Sequence, residues 1–120
     1  MASVLIIDDD AAVRRMLRAM LEGAGYQVGE AENGLAALHH PQLESFDLAI
    51  TDLIMPEQEG IETIRELRRA YPAKKILAIS GFDGAQYLEA ARMLGADATL
   101  AKPFKQQQLL NELDQLLKSE

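Results

Sequence analysis

Val4–Leu5–Ile6–Ile7–Asp8–Asp9–Asp10 sets four apolar residues directly against three carboxylates. The apolar run has no alternation, which is the pattern of a strand buried on both faces of a parallel sheet. Immediately afterwards the period changes. Val13, Met16, Leu17, Met20 and Leu21 recur at i, i+3, i+4, i+7 and i+8, which lays them along one side of an α-helix. Strand, acidic turn and helix form a unit that can be sought in the rest of the chain.

The unit recurs. Leu48–Ile50, Ile76–Ile79 and a weaker run at Thr99–Ala101 read as further buried strands, and the more polar Gln27–Ala31 suits a sheet edge. Between and after them, helical stretches fit Leu35–His40, Ile61–Ala70 and Gln86–Leu94, and Leu109, Leu110, Leu113, Leu116 and Leu117 mark a last amphipathic helix. Asn33–Gly34, Gly60 and Gly95 are expected to be helix boundaries. Pro41 falls where the second helix would otherwise continue, and a helix-interior proline costs about 3 kcal/mol, so that helix should be short or broken. His39 and His40 are adjacent and do not share a helix face; they read as a solvated helix end. Five alternations of strand and helix predict an α/β fold: one doubly wound (βα)5 domain over residues 1–120, with helices on both faces of a five-stranded parallel sheet and right-handed crossovers. No internal repeat, linker or low-complexity tract interrupts it.

Bulk properties narrow the function. With 120 residues there is room for one ordinary domain of about 100 to 150 residues. A formal net charge of -7 repels a phosphate backbone, so direct nucleic-acid binding is not expected. The absence of cysteine removes disulfides, thiolate metal sites and thiol catalysis. No apolar run approaches the roughly 20 residues of a membrane-spanning helix, and Asp8 to Asp10 stand where a secretory leader needs its apolar stretch. A cytoplasmic protein without membrane association is expected.

In an open parallel sheet, ligands bind beyond the carboxyl ends of the strands, near the point where the strand order reverses. Asp8, Asp9 and Asp10 follow the first run, Asp52 the third, Ser80 the fourth and Lys102 the fifth. In a flavodoxin-like order 2-1-3-4-5 these groups form one row on strands about 4.8 Å apart. Clustered carboxylates repel unless something positive joins them. A hard divalent cation with oxygen ligands fits, and magnesium characteristically binds a few carboxylates, waters and substrate phosphate. The site therefore reads as a phosphoryl-transfer centre.

At this point four motifs converge: VLIIDDD (residues 4–10), ITDLIMP (50–56), AISG (78–81) and GADATLAKPF (95–104). Together, in this order, they resemble the response-regulator receiver domain of two-component signalling, of the chemotaxis-regulator type, along the whole chain. The resemblance implies a phosphoprotein with Asp52 as phosphoacceptor. Asp8, Asp9, Asp52 and the backbone carbonyl of Ile54 would bind Mg2+, with Mn2+ as the alternative. Lys102 would pair with the phosphoryl group, and Ser80 would be the switch hydroxyl that turns toward it. The Lys102–Pro103 bond is expected to be cis, a minority state for an X–Pro bond. The implied donor is a sensor histidine kinase or phosphotransfer protein. The implied recipient is a downstream protein or a fused output domain, with phosphorylation-dependent homodimerisation a further option. A receiver is not an enzyme with a separate substrate; it promotes its own phosphorylation and dephosphorylation. With no output domain in 120 residues, the signal is expected to leave through the region of the fourth helix, fifth strand and fifth helix, including Arg92, Thr99 and Lys105.

Two departures stand out. Thr99 occupies the place where the family commonly has an aromatic residue that moves with the switch hydroxyl. Ile54 and Phe82, two residues beyond Asp52 and Ser80, are both apolar, which would hinder water and lengthen the phosphorylated state. Two rival readings remain. Asp8–Asp9–Asp10 has the D-x-D spacing of haloacid-dehalogenase-like phosphatases, although Ala11–Ala12 follow instead of the expected Thr or Val. A receiver-like interaction module without phosphorylation is the other. Asp10, just ahead of Ala11–Ala12–Val13, reads as a helix cap.

Overall fold

The structure, a computed structural model, describes residues 2–53, 59–81 and 87–118. Among them the chain runs β1 (Ser3–Ile7), α1 (Ala11–Gly23), β2 (Gln27–Ala31), α2 (Gly34–Leu38), β3 (Leu48–Asp52), α3 (Glu59–Ala70), β4 (Lys75–Ser80), α4 (Tyr87–Leu94), β5 (Ala98–Ala101) and α5 (Gln106–Lys118). The strands pair in parallel in the order β2-β1-β3-β4-β5. The expected α/β fold and strand order are thus borne out.

Strand side chains alternate between the two faces, and each face builds its own core. Leu5, Ile7, Ala49, Ile76 and Ala78 pack with Ala37, Ile64, Leu67 and Ala91 under α2, α3 and α4. Val4, Ile6, Leu48, Ile50, Leu77 and Ile79 pack with Leu17, Leu21, Leu109, Leu113 and Leu116 under α1 and α5. The unbroken apolar runs of β1, β3 and β4 are therefore the consequence of serving two cores at once.

Local signals explain most boundaries. Asp10 caps α1: its carboxylate accepts from Ala12 N at 2.8 Å and Val13 N at 3.4 Å. Asn33 caps α2 by accepting from Ala36 N at 2.7 Å. Helix α2 stops at Leu38, and a short 3-10 turn at Leu43–Ser45 follows Pro41, as the proline predicts. His40 is not simply solvated, because its ring meets Phe46 edge-on at 5.2 Å. Gly95 ends α4 with φ 130°, conformational space that favours glycine.

One expectation needs correction and another a refinement. Met16, assigned to the apolar stripe of α1, is 43% exposed. It lies about 100° round the helix from Leu17, beyond the arc that the sheet covers. Gly60 stands one residue inside the boundary expected of it, second in α3 (Glu59–Ala70). A Cβ there would stand 2.3 Å from the Asp52 carbonyl oxygen and 2.7 Å from Leu53 Cα, so glycine permits the helix to approach the end of β3.

Candidate functional site

The carboxyl ends of β1, β3, β4 and β5 carry Asp8, Asp52, Ser80 and Lys102, and sheet hydrogen bonds hold their backbones. Asp8 N donates to Ala31 O at 3.2 Å, Leu53 N to Ile79 O at 2.9 Å, and Lys102 N to Ser80 O at 2.7 Å. The Lys102–Pro103 peptide is cis, as expected from the sequence.

One carboxylate oxygen each from Asp8, Asp9 and Asp52 lies within 4.8 Å of the others. Asp8 is fully buried and Asp52 nearly so, whereas Asp9 is exposed. Lys102 Nζ reaches over them, 3.3 Å from Asp52 Oδ2 and 3.8 Å from Asp8 Oδ2. The cluster thus gathers three acids around one ammonium group.

Burial and charge both act on Asp8. Burial, chiefly, and then the neighbouring Asp52 carboxylate push its pKa from 3.8 to about 6, against the opposing pull of the Asp10 N–H and Lys102. Asp8 Oδ1 accepts from Asp10 N at 2.9 Å. Asp8 Oδ2 and the hydroxyl of Ser80, both buried, have no hydrogen-bond partner among the described residues. Buried polar atoms normally find one, so each of these is poised for a ligand atom.

The structure brings together five of the six candidates: Asp8, Asp9, Asp52, Ser80 and Lys102. The sixth, the Ile54 carbonyl, lies outside the described residues, as does Phe82. Asp10 turns its carboxylate to the N-terminus of α1, which leaves the D-x-D phosphatase reading without its second acid. Thr99, on β5, accepts from Arg92 Nη2 at 3.3 Å.

Sequence reasoning missed Arg14. Its Nη1 donates to the Asp8 carbonyl at 2.6 Å, and its Nε to Glu30 Oε1 at 3.1 Å. The available signal was its spacing, one helical turn beyond Asp10.

Comparison with known proteins agrees with this geometry. Residues 4–114 match the family model of the response regulator receiver domain. The chain is 40% identical over 118 residues to the response regulator receiver protein CpdR of Brucella abortus, covering 98% of each. It is 41% identical over 104 residues to the KDP operon transcriptional regulatory protein KdpE of Escherichia coli, spanning 87% of this chain but only 46% of that longer relative. Among solved structures, a response regulator receiver domain protein of Methanospirillum hungatei superposes with a TM-score of 0.89 at 29% identity, over 98% of this chain and 94% of that one. A response regulator of Chloroflexus aurantiacus does so with a TM-score of 0.90 at 31% identity, over 98% of both. The chain belongs to the response regulator receiver domain family of two-component systems.

Proposed function

We propose that residues 1–120 act as one receiver domain that accepts a phosphoryl group on Asp52 from a phosphohistidine of a sensor kinase or phosphotransfer protein. The observation that carries this reading is the cluster itself: three carboxylates within 4.8 Å with Lys102 Nζ 3.3 Å from Asp52. One ammonium group does not offset three carboxylates, and the Oδ2 of Asp8, 3.8 Å from Lys102 Nζ and accepting no hydrogen bond among the described residues, marks where further positive charge belongs. An all-oxygen donor set fits a hard divalent cation, Mg2+ or Mn2+. Asp8, Asp9 and Asp52 would hold it, with the Ile54 carbonyl as the further ligand that the family resemblance implies. When bound, such an ion supplies positive charge facing the phosphoryl oxygens.

In the transfer, a carboxylate oxygen of Asp52 forms the new O–P bond while the N–P bond of the donor breaks and its electron pair returns to the donor imidazole. Lys102 pairs with a developing charge on one phosphoryl oxygen. The Ser80 hydroxyl, without a hydrogen-bond partner among the described residues, donates to another. Catalysis here is mainly positioning and electrostatics, which is how phosphoryl transfer is generally promoted. The same groups would assist hydrolysis of the aspartyl phosphate, so the domain times its own signal.

Partner binding would then change at the surface of α4, β5 and α5, where Arg92, Thr99 and Lys105 lie, and a downstream protein, a fused output domain or a second copy would read it. Thr99 is tied to Arg92 by a hydrogen bond, so this polar contact would take over the coupling that an aromatic ring commonly provides.

The test is intact-protein mass after incubation with a small-molecule phosphodonor and Mg2+, for wild type and Asp52→Asn, with an EDTA control. Gain of one phosphoryl mass by wild type alone, abolished by EDTA, is expected. No gain by folded wild type with magnesium bound would favour an interaction module without phosphorylation.

A further inference from the structure

The turn between β1 and α1 has to hold two acids close together, and one side chain closes it. Asp8 N is fixed by Ala31 O, and Arg14 N donates to Asp10 O at 3.0 Å. Asp8 Oδ1 accepts from Asp10 N. The Asp8 carbonyl receives the Arg14 guanidinium at 2.6 Å. That carbonyl belongs to the peptide joining Asp8 to Asp9, so its orientation sets where the Asp9 carboxylate starts. The guanidinium is itself clamped: Glu30, at the end of β2, accepts from Arg14 Nε at 3.1 Å, and the Arg14 side chain is only 16% exposed. Glu30 also pairs with Arg18, whose Nη2 donates to Val28 O at 3.0 Å. Arg18 also donates to Glu22 Oε2 at 3.3 Å, and among the described residues it makes no hydrogen bond to Asp8 or Asp9.

We propose that Arg14, oriented by Glu30, is a positioning residue that fixes the Asp8–Asp9 peptide and thereby sets the affinity of the acidic cluster for a divalent cation. The inference rests on the cation reading above and adds a residue to it. Its sign separates it from simple electrostatics. Arg14 is a cation close to the cluster, so by charge alone its removal would tighten cation binding. If its function is positional, removal loosens the peptide and weakens binding, as loss of outer-shell partners does by about tenfold or more at metal sites.

Titration calorimetry with Mg2+ on wild type, Arg14→Met, Arg14→Lys and Arg18→Met, alongside urea unfolding in EDTA, provides the test. Arg14→Met is expected to bind Mg2+ about tenfold more weakly, with Arg14→Lys in between because an ammonium group satisfies the carbonyl without the clamp. Arg18→Met is expected to lose similar stability yet keep wild-type affinity. Affinity unchanged or increased in Arg14→Met overturns the proposal, and so does equal weakening in Arg18→Met. Should Arg14→Met not fold, wild-type affinity in Arg14→Lys overturns it as well. Absence of Mg2+ binding by folded wild type is a separate outcome, which removes the cation reading and this inference with it.

Discussion

Replacing Asp8 with Asn should stabilise the cation-free protein at neutral pH while removing its response to magnesium. Asp8 is fully buried, and burial raises its pKa from 3.8 to about 6. At about 1.4 kcal/mol per unit, holding this group ionised in the fold costs about 3 kcal/mol. The direction follows from proton counting. Between about pH 4 and about pH 6 the folded state keeps a proton that the unfolded chain has released, so stability falls as pH rises through that window. Above it the whole penalty stands. An asparagine at residue 8 keeps an oxygen to accept from Asp10 N, replacing the 2.9 Å bond that Asp8 Oδ1 makes, and carries no charge.

Urea unfolding in EDTA should therefore give superimposable stabilities for wild type and Asp8→Asn near pH 4, with the variant ahead by about 1 to 3 kcal/mol near pH 7.5. The amide's own buried N–H groups, short of acceptors, keep the gain below the full figure. Taking the difference between the two proteins cancels the titrating groups that do not interact with Asp8, leaving Asp8 and its neighbours Asp52 and Lys102. Added Mg2+ should raise the stability of wild type alone, because a ligand stabilises only a state that binds it. Parallel pH profiles for the two proteins, or a variant less stable than wild type at neutral pH, would refute the reasoning.

Gly60→Ala should lower stability by about 2 kcal/mol and slow phosphorylation, since a Cβ 2.3 Å from the Asp52 carbonyl must push α3 or the end of β3 aside; urea unfolding and a phosphorylation time course check both. Lys74→Met should cost about 2 kcal/mol, because Lys74, though its pKa is lowered by burial, donates to the carbonyls of Leu43 and Phe46 and no other group replaces it there. An unchanged urea midpoint would show that those carbonyls find other donors.

What was legible in the sequence depended on whether a residue's role is local. The runs at Val4–Ile7 and Ile76–Ile79 announced their strands because burial on two faces leaves no room for polar residues. Asp10 announced its cap, and Pro41 the early end of α2, because each acts within a turn of itself. Gly60 was read only as a helix boundary because the reason for it is an approach from another element, and nothing in its neighbours reveals how close β3 lies. Arg14 and Glu30 were passed over for a related reason: they lie sixteen residues apart and meet only once β2 has paired with β1. Lys74 looks like a surface lysine in sequence, yet it is 6% exposed, since its partners are carbonyls about thirty residues earlier.

The sheet register explains why the site needs residues of those particular lengths. Ile7 pairs with Thr51, so Asp8 and Asp52 stand level. Asp52 pairs with Ile79, which puts Ser80 one residue above them. Ile79 pairs with Leu100, which puts Lys102 two residues above. At about 3.3 Å per residue, the Lys102 backbone is about 7 Å further along the strand direction than Asp52, yet its Nζ lies 3.3 Å from the Asp52 carboxylate. Only a long cationic side chain spans that step, while a serine one residue above its neighbour needs no such reach. The stagger that gives the row its geometry is set by the same register that seals the two cores. Slipping a central strand by one residue would send its side chains into the wrong core and misalign its polar end together. The energy that fixes the fold therefore also fixes the site, even though the buried carboxylate of Asp8 opposes that fold at neutral pH.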